Sequence, residues 1–502
     1  MSADRPIRLR FAPSPTGYLH VGGLRTALYN FLFAKKHNGK LILRIEDTDQ
    51  KRLVKDSVAN IIDALKWAGV DFDEGPHIKE SAYGPYSQSE RLKIYTKHMI
   101  DLIHKGDAYV CFYSSERMEK INNSSIAKQS AAEYDKKYKG ANPEEAVKKM
   151  STENCVVRLS MPENGQLLAD DLIKGKVKFD YNLIEDPIII KSDGFPTYHF
   201  ANVIDDYKMN ISHVIRGDEW LPSLPKHIHL YNCFNWDIPK FAHLPLLLNQ
   251  DKSKLSKRQG DVAVEDYIKK GYLKESLINF IALLGWHESN NKEFYSINEL
   301  IEAFSLDRIQ NSGAVFDIHK LNWINQHYIK NLNYKTILKF SSDFIPKDWR
   351  VSKEMIDLVK ERLDKFSNIK KLLSAFFIAP SISKNELVNN YPDSSIVKII
   401  PCIINELKKY DIINKEILNK IMTQVVLDTG CKGKNLWQPV RVILTNEEHG
   451  PDLSSFMSGI SSTGRTNKRI KGWQGRADQT TKVRGMFVQP SQVDKILKKT
   501  FK

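Results

Sequence analysis

Apolar and charged positions alternate from Ile7 to Phe11, with Arg8 and Arg10 between Ile7, Leu9 and Phe11. That two-residue period predicts a strand. Pro13, Pro15 and Gly17 end it, because proline lacks an N–H and glycine tolerates positive φ. From Gly22 onward, Leu24, Ala27, Leu28, Phe31 and Leu32 recur at helical spacing, which gives one apolar face. Leu41 to Ile45 is a second apolar strand. The spacing thus predicts a βαβ unit whose loop lies at a strand's carboxyl end, where open α/β sheets bind ligands.

The same reading continues along the chain. Asp56 to Trp67 predicts a short helix closed by Gly69, and Leu92, Tyr95, Met99 and Leu102 share the face of another. Ala108 to Phe112 reads as a strand. A polar, Lys-rich stretch follows, with helical EEAVKKM and strand-like CVVRLSM and KVKFDY. From Pro187 the pattern returns: a strand from Ile188 to Lys191, a helix in SDGFPTYHFANVIDDY, the short strand VIRG, a helix in PSLPKHIHLYNCF and a last strand in FAHLPLLLN. Strand alternating with helix in both blocks argues for an α/β class fold with a doubly wound parallel sheet. Beyond Asn331 helix follows helix without strand alternation, which predicts a mainly α-helical domain.

Composition narrows the class. A chain of 502 residues has room for two to four domains and a large core. With 41% hydrophobic and 27% charged residues it is neither disordered nor membrane-embedded. No run approaches the ~18 apolar residues of a spanning helix, and MSADRPIRLRF carries no signal-peptide core. Five scattered cysteines, Cys111, Cys155, Cys233, Cys402 and Cys431, suggest reduced thiols; the cytoplasm is the expected compartment. A net charge of +15 suits a polyanionic partner. From Gly459 on, however, eleven Lys and Arg stand against two Asp, so most of that excess belongs to the last residues.

The candidate chemistry sits in the first loop. His20-Val21-Gly22-Gly23 precedes the helix; two glycines let a phosphate approach the backbone, unpaired helix N–H groups favour an anion, and His20 adds a polar donor. The longer string A-P-S-P-T-G-x-L-H-V-G-G, followed by L-R-I-E-D-T-D at Leu43 to Asp49, resembles the signature of class I aminoacyl-tRNA synthetases, specifically the glutamyl-tRNA synthetases. About 230 residues later, Lys254-Leu255-Ser256-Lys257-Arg258 lies in a loop without apolar periodicity. Alone it reads as a basic turn. After HVGG it resembles the family's second signature, K-M-S-K-S, in its K-[LI]-S-K-R variant.

The resemblance implies a domain plan: a Rossmann-like catalytic domain in two halves, 1–113 and 187–262, an acceptor-stem-binding insertion at 114–186, a stem-contact domain at 263–330 and an α-helical anticodon-binding domain at 331–458. GKNLWQPVRVILT and GPDLSSF match the end of the bacterial glutamyl anticodon domain, whereas bacterial glutaminyl enzymes end in β-barrels. An atypical basic tail, 459–502, resembles instead the hinge loop of phenylacetate-CoA ligases, through Gly-Arg-Ala-Asp, Lys482 and Gly485. It is too short for a working ligase, and reads as a fused gene end that leaves a basic appendage.

The implied reaction is attack of a glutamate carboxylate on the α-phosphate of ATP, then transfer of the acyl group to the terminal adenosine of tRNA. Such a displacement needs positioning and charge stabilisation rather than a covalent nucleophile. His20, Gly22 and Gly23 would hold phosphate oxygens. Lys254 and Lys257 would meet charge developing toward pyrophosphate, with Mg²⁺ assisting. Glu219 and Trp220 would lie near the adenosine. The resemblance places Arg10, Ser14, Glu46, Tyr198, Asn202 and Arg216 around glutamate, with the two arginines on its carboxylates and Glu46 facing its ammonium; Arg44 and Asp47 would support Glu46. Partners are L-glutamate and tRNA(Glu), with tRNA(Gln) left open; no membrane is implied, and a monomer is the family expectation.

One feature departs from the family pattern. Many bacterial members carry Cys-x-Cys at the start of a zinc site, where this chain has Cys111-Phe112-Tyr113. No Cys or His pair at ligand spacing follows before Cys155, so Cys111 reads as a buried small side chain and no structural zinc is expected. Two other functional classes compete. One is a tRNA-modifying enzyme of the queuosine-glutamylating kind, which shares the catalytic half without the helical domain. The other is a non-catalytic RNA-binding paralogue, in which the signatures held here by His20, Lys254 and Lys257 should be eroded.

Overall fold

The computed structural model describes residues 5–78, 82–112, 136–255, 262–378, 396–407, 409–410, 415–445, 447–449 and 453. Much of the front of the expected insertion, Lys257 and the whole basic tail therefore lie outside the described residues. The chain divides into two compact units, one of residues up to 269 with 274–321, the other of 270–273 with 322 onward.

The first unit opens with β1 (Arg8–Phe11), α1 (Val21–Lys36) and β2 (Lys40–Leu43), and β1 pairs with β2 in parallel, Leu9 opposite Leu41. α1 is more deeply buried than one apolar face requires. Asn30 donates to the Ile215 carbonyl on one side, and Tyr29 donates to the Leu284 carbonyl on another, so the helix is enclosed by the sheet and by residues from the end of the unit. α2 (Ser57–Ala68) ends at Gly69, whose φ of 74° is the left-handed value that stops a helix. α3 (Leu92–Lys105) and β3 (Ala108–Phe112) follow. Then come α4 (Pro143–Lys149), β4 (Cys155–Leu159), β5 (Gln166–Asp171), β6 (Gly175–Asp180), β7 (Ile188–Ile190), α5 (Tyr198–Lys208), β8 (His213–Gly217), α6 (Leu224–Cys233) and β9 (Lys240–Leu244).

The sheet is parallel where the site is built. β8 pairs with β9 in parallel, and Ser212, just before β8, donates through its N–H to the Arg8 carbonyl while its hydroxyl accepts from the Arg8 N–H. β1 and β8 thereby start side by side, and the loops after both emerge at the same edge. Asp171 of β5 joins β9 in parallel at Phe241, and β6 closes an antiparallel hairpin on β5. The strand β5 had no clear alternation in QLLADD and escaped the sequence reading. A separate three-stranded sheet is antiparallel throughout, with β4 between β3 and β7. The last expected strand, FAHLPLLLN, is split, because Pro245 interrupts the ladder between β9 and β10 (Leu247–Leu248). β10 pairs in parallel with β11 (Ala314–Val315), after α7 (Val264–Lys269), α8 (Lys274–Ala282) and α9 (Ile297–Ala303). Cys111 is fully buried on β3 among Tyr109 and Val156.

The second unit is helical. α10 (Ile318–Lys330) contains the division between the units; α11 (Tyr334–Ser341), α12 (Lys353–Val359), α13 (Ile369–Phe377), α14 (Ile396–Leu407), α15 (Lys415–Thr429) and α16 (Lys434–Thr445) follow. Their apolar faces meet in one core that includes Ile356, Phe366, Leu373, Phe376, Val425 and Leu436. Among the described residues of this unit there is no strand. None of the described helices is long and apolar enough to cross a membrane.

Candidate active site

Two loops leave the carboxyl ends of β1 and β8, and the residues singled out from sequence gather there in two groups. The first surrounds the start of α1. His20 is its N-cap, with extended backbone (φ −77°, ψ 147°), and its Nδ1 accepts the Gly22 N–H at 3.0 Å. One of the N–H groups expected to greet an anion is therefore already capped, which orients the imidazole. The two glycines also differ in role. A Cβ on Gly23 would sit 3.1 Å from Leu19 Cδ1 and 3.7 Å from Phe11 Cζ, so Gly23 lets α1 lie close to β1 and is a packing glycine. A Cβ on Gly22 would meet His20 Nδ1 at 3.3 Å; its absence keeps the cap open.

The segment that follows the second signature pairs with the loop of the first through backbone hydrogen bonds. Val21 N–H donates to the Val262 carbonyl (2.8 Å), and Val264 N–H to the Leu19 carbonyl (2.9 Å). Leu255 N–H donates to the Leu247 carbonyl at 2.9 Å. Lys254 is exposed; Lys257 is outside the described residues.

The second group is a buried pocket of charge behind that edge. Asp206, on α5, accepts from Arg10 Nε (3.0 Å) and Arg44 Nη1 (2.7 Å), and Arg44 Nη2 donates to Glu46 Oε1 (3.0 Å). Asn202, one helical turn before Asp206, has its amide between Asp206 Oδ2 (3.2 Å) and Arg44 Nη2 (3.3 Å), and both contacts are satisfied when its amide nitrogen is assigned to the aspartate side. Next to Asp206, Asp205 accepts from Arg91 Nε, Gln88 and the Tyr95 hydroxyl. Burial would raise the Asp206 carboxyl, but Arg10 and Arg44 outweigh it and hold it low. Burial wins at Glu46, whose carboxyl is raised despite Arg44 and Arg10. Glu46 is thus the acid of this pocket with most to gain from one more cation. Arg10 spends only Nε on the protein; its two Nη groups make no hydrogen bond among the described residues.

Arg216, at the end of β8, is held differently. Its Nε donates to His243 Nε2 (3.0 Å), its Nη1 to His227 Nδ1 (3.0 Å) and to the Tyr198 hydroxyl (3.2 Å), and its Nη2 reaches the Trp220 carbonyl at 3.4 Å. Four of five donors are engaged, so Arg216 presents one N–H on Nη2 rather than an open fork. The Tyr198 ring packs at a tilt against Trp220, with centroids 4.0 Å apart. Ser14 and Glu219 are exposed at the rim. The structure thus links Arg10, Glu46, Asn202, Tyr198, Arg216 and Trp220 in one cluster of contacts. Ser14, Glu219 and Lys254 are exposed and are not part of that cluster.

Sequence reasoning missed Asp205, Asp206, His227, His243 and Asp171. A signal for the first two was present, since adjacent acids interrupt the apolar pattern of FANVIDDY. Nothing marked the histidines, whose partners lie far off in the chain. Among the described residues no three His, Cys, Asp or Glu side chains converge so as to hold a metal.

Residues 6–323 match the family described as tRNA synthetases class I (E and Q), catalytic domain, and residues 321–473 match an anticodon binding domain. The glutamate–tRNA ligase of Finegoldia magna is 43% identical over 471 residues, 90% of this chain and 96% of that protein. The Clostridioides difficile glutamate–tRNA ligase is equally similar, with 43% identity and the same coverage. A crystal structure of the glutamate tRNA ligase from Elizabethkingia meningosepticum, in complex with its amino acid, superposes with a TM-score of 0.77 at 35% identity, covering 93% of this chain and 99% of that one. On this match across both units, the chain belongs to the class I tRNA synthetases of the E and Q group, among the glutamate–tRNA ligases.

Proposed function

We propose that the chain activates L-glutamate with ATP and transfers it to the terminal adenosine of tRNA(Glu). The observation that carries the substrate is the pocket of Arg10, Glu46 and Arg216. Two guanidiniums with unspent N–H groups suit two carboxylates, and a buried carboxyl raised by desolvation suits an ammonium. ATP would enter at the edge where His20 and the 262–264 segment meet, its phosphates against the start of α1 and its adenosine toward Glu219 and Trp220. Ser14, Tyr198 and Asn202 would complete the glutamate contacts. His20, Lys254 and Lys257 are the residues we assign to stabilising charge on the phosphates as adenylate forms. Magnesium entering with the nucleotide would be held mainly by its phosphates and waters.

The helical second unit, with its anticodon-binding match, weighs against the queuosine-modifying reading, and the retained His20 and Lys254 weigh against a non-catalytic paralogue. Exchange of labelled pyrophosphate into ATP should depend on glutamate, and purified tRNA(Glu) should be charged. Glutamine tRNA assayed beside it decides whether the enzyme discriminates. Failure of exchange with glutamate, with tRNA present, would remove the activity. We further propose a cytoplasmic monomer, testable by sedimentation.

The domain plan set out from the sequence is retained as a proposal, with one shift at its end. The anticodon-binding match continues through Trp473, past the expected start of the tail at residue 459. Beyond Trp473 seven Lys and Arg stand against two Asp. A chain stopped after Trp473 is expected to stay soluble and to form glutamyl-adenylate. Its tRNA affinity should fall modestly at low salt, and the difference should close as salt rises, because counterion release scales with phosphates neutralised. Loss of charging at every salt concentration would make those residues an integral part of the fold.

A further inference from the structure

Arg10, Arg44 and Arg91 are each bonded to an aspartate of α5. Arg216, equally buried at 4% exposure, has no carboxylate among its hydrogen-bond partners; two are imidazoles, one a phenol and one a carbonyl. The imidazoles must both offer lone pairs to it. At His243 that tautomer is imposed from behind: Nδ1 lies 2.6 Å from Asp171 Oδ2, so the ring proton sits on Nδ1 and Nε2 faces Arg216. Asp171 is itself fixed, since its Oδ1 accepts from the Ile173 and Lys174 amides at 3.0 and 2.9 Å. Burial would raise the Asp171 carboxyl, but His243 and those amides hold it low, and burial keeps His243 below its ordinary value. A charged aspartate and a neutral imidazole follow. At His227 Nδ1 is the acceptor, which leaves Nε2 to donate to His199 Nδ1 at 3.1 Å.

We propose that Asp171 and His243 are positioning residues that aim Arg216 through its Nε while leaving its charge uncompensated by a direct ion pair, so that the carboxylate it meets is the substrate's. The arrangement separates orientation from neutralisation. An aspartate placed directly on Arg216 would fix the guanidinium equally well and would compete with glutamate for it. Interposing a neutral ring keeps the anion one residue further off, where its attraction on the guanidinium is weaker. This rests on the reading of Arg216 as a glutamate-binding residue.

The test is steady-state kinetics of four variants. His243→Phe keeps the ring volume and removes both hydrogen bonds; it should raise the KM for glutamate about 10- to 100-fold, the worth of one hydrogen bond to a charged group, with the KM for ATP unchanged. His243→Gln, whose amide can accept from Arg216 and donate to Asp171, should recover most of that loss. Asp171→Asn, which frees the tautomer, should raise the glutamate KM less than His243→Phe does, and it carries the test alone if His243→Phe fails to fold. Arg216→Gln is the control on the underlying reading. If it raises the glutamate KM while His243→Phe and Asp171→Asn do not, the positioning role is wrong and the assignment of Arg216 stands. If Arg216→Gln has no effect on that KM, both fall. A parallel rise in the KM values for glutamate and ATP in His243→Phe and His243→Gln alike would mark general damage and also overturn the proposal.

Discussion

Lys257→Ala is expected to lower the rate of pyrophosphate exchange about 10²- to 10³-fold, at saturating glutamate and tRNA, with the KM for glutamate nearly unchanged. A cation that meets charge only as the bond to pyrophosphate breaks lowers the barrier without strengthening ground-state binding, so its loss falls on turnover. Among the described residues, Leu255 pairs with Leu247, and the Val262 carbonyl accepts from Val21 N–H, the amide next to His20; Lys257 lies outside them. Lys257→Arg should keep part of the rate, since charge without the ammonium's shape still acts at short range. Unimpaired turnover in the alanine variant would take Lys257 out of the mechanism.

Asp206→Asn should be the most destabilising single change in the pocket. Asp206 receives Arg10 and Arg44 in a site where it is 1% exposed, and removing one partner of a buried pair costs about 3–5 kcal/mol because the remaining charges stay buried. For a unit of this size that is a drop of roughly 6–10 °C in its thermal transition, at ~2 °C per kcal/mol. Its carboxyl is held below the ordinary range, so its contribution is present above the unfolded value near ~3.9 and is lost as pH falls through the lower folded value. Stability of the variant should therefore fall less steeply in acid than that of the parent. The glutamate KM should rise with it, because Arg10 loses the anchor that directs its unspent Nη groups. A thermal midpoint unchanged to within about 2 °C would mean that the arginines find other partners.

The sequence was most informative where local pattern and chemistry coincide. Alternation around Leu9, the breaks at Pro13 and Pro15 and the helical run from Leu24 named β1, its loop and α1, and the loop holds the His20 cap. Arg10, Glu46 and Arg216 were legible through their motifs. What could not be read is what each arginine touches. Asp206 reaches Arg10 across 196 positions and His243 reaches Asp171 across 72, and no period in the chain encodes such pairings. Gly22 and Gly23 show the same limit at short range: one string suggested two phosphate-facing glycines, yet Gly23 is set by its closeness to Phe11 and Leu19. The strand β5 was missed because its inward positions carry Ala169 and Asp171, one small and one charged.

The hairpin of β5 and β6 would be an obvious cassette for exchange between related enzymes, since it is short, antiparallel and joined to the larger sheet through little more than Asp171 and Leu172. Yet Asp171, the last residue of β5 where the hairpin turns, is the one we propose fixes the ring behind Arg216. On this proposal, a chimaera that swaps this hairpin for a relative's would exchange a piece of the proposed amino-acid pocket along with it, and a donor lacking an acid at that position would deliver a folded protein with a poorly aimed arginine. Engineers recombining such enzymes should place the crossover before Asp171 or carry His243 across as well, treating the two as one inherited unit.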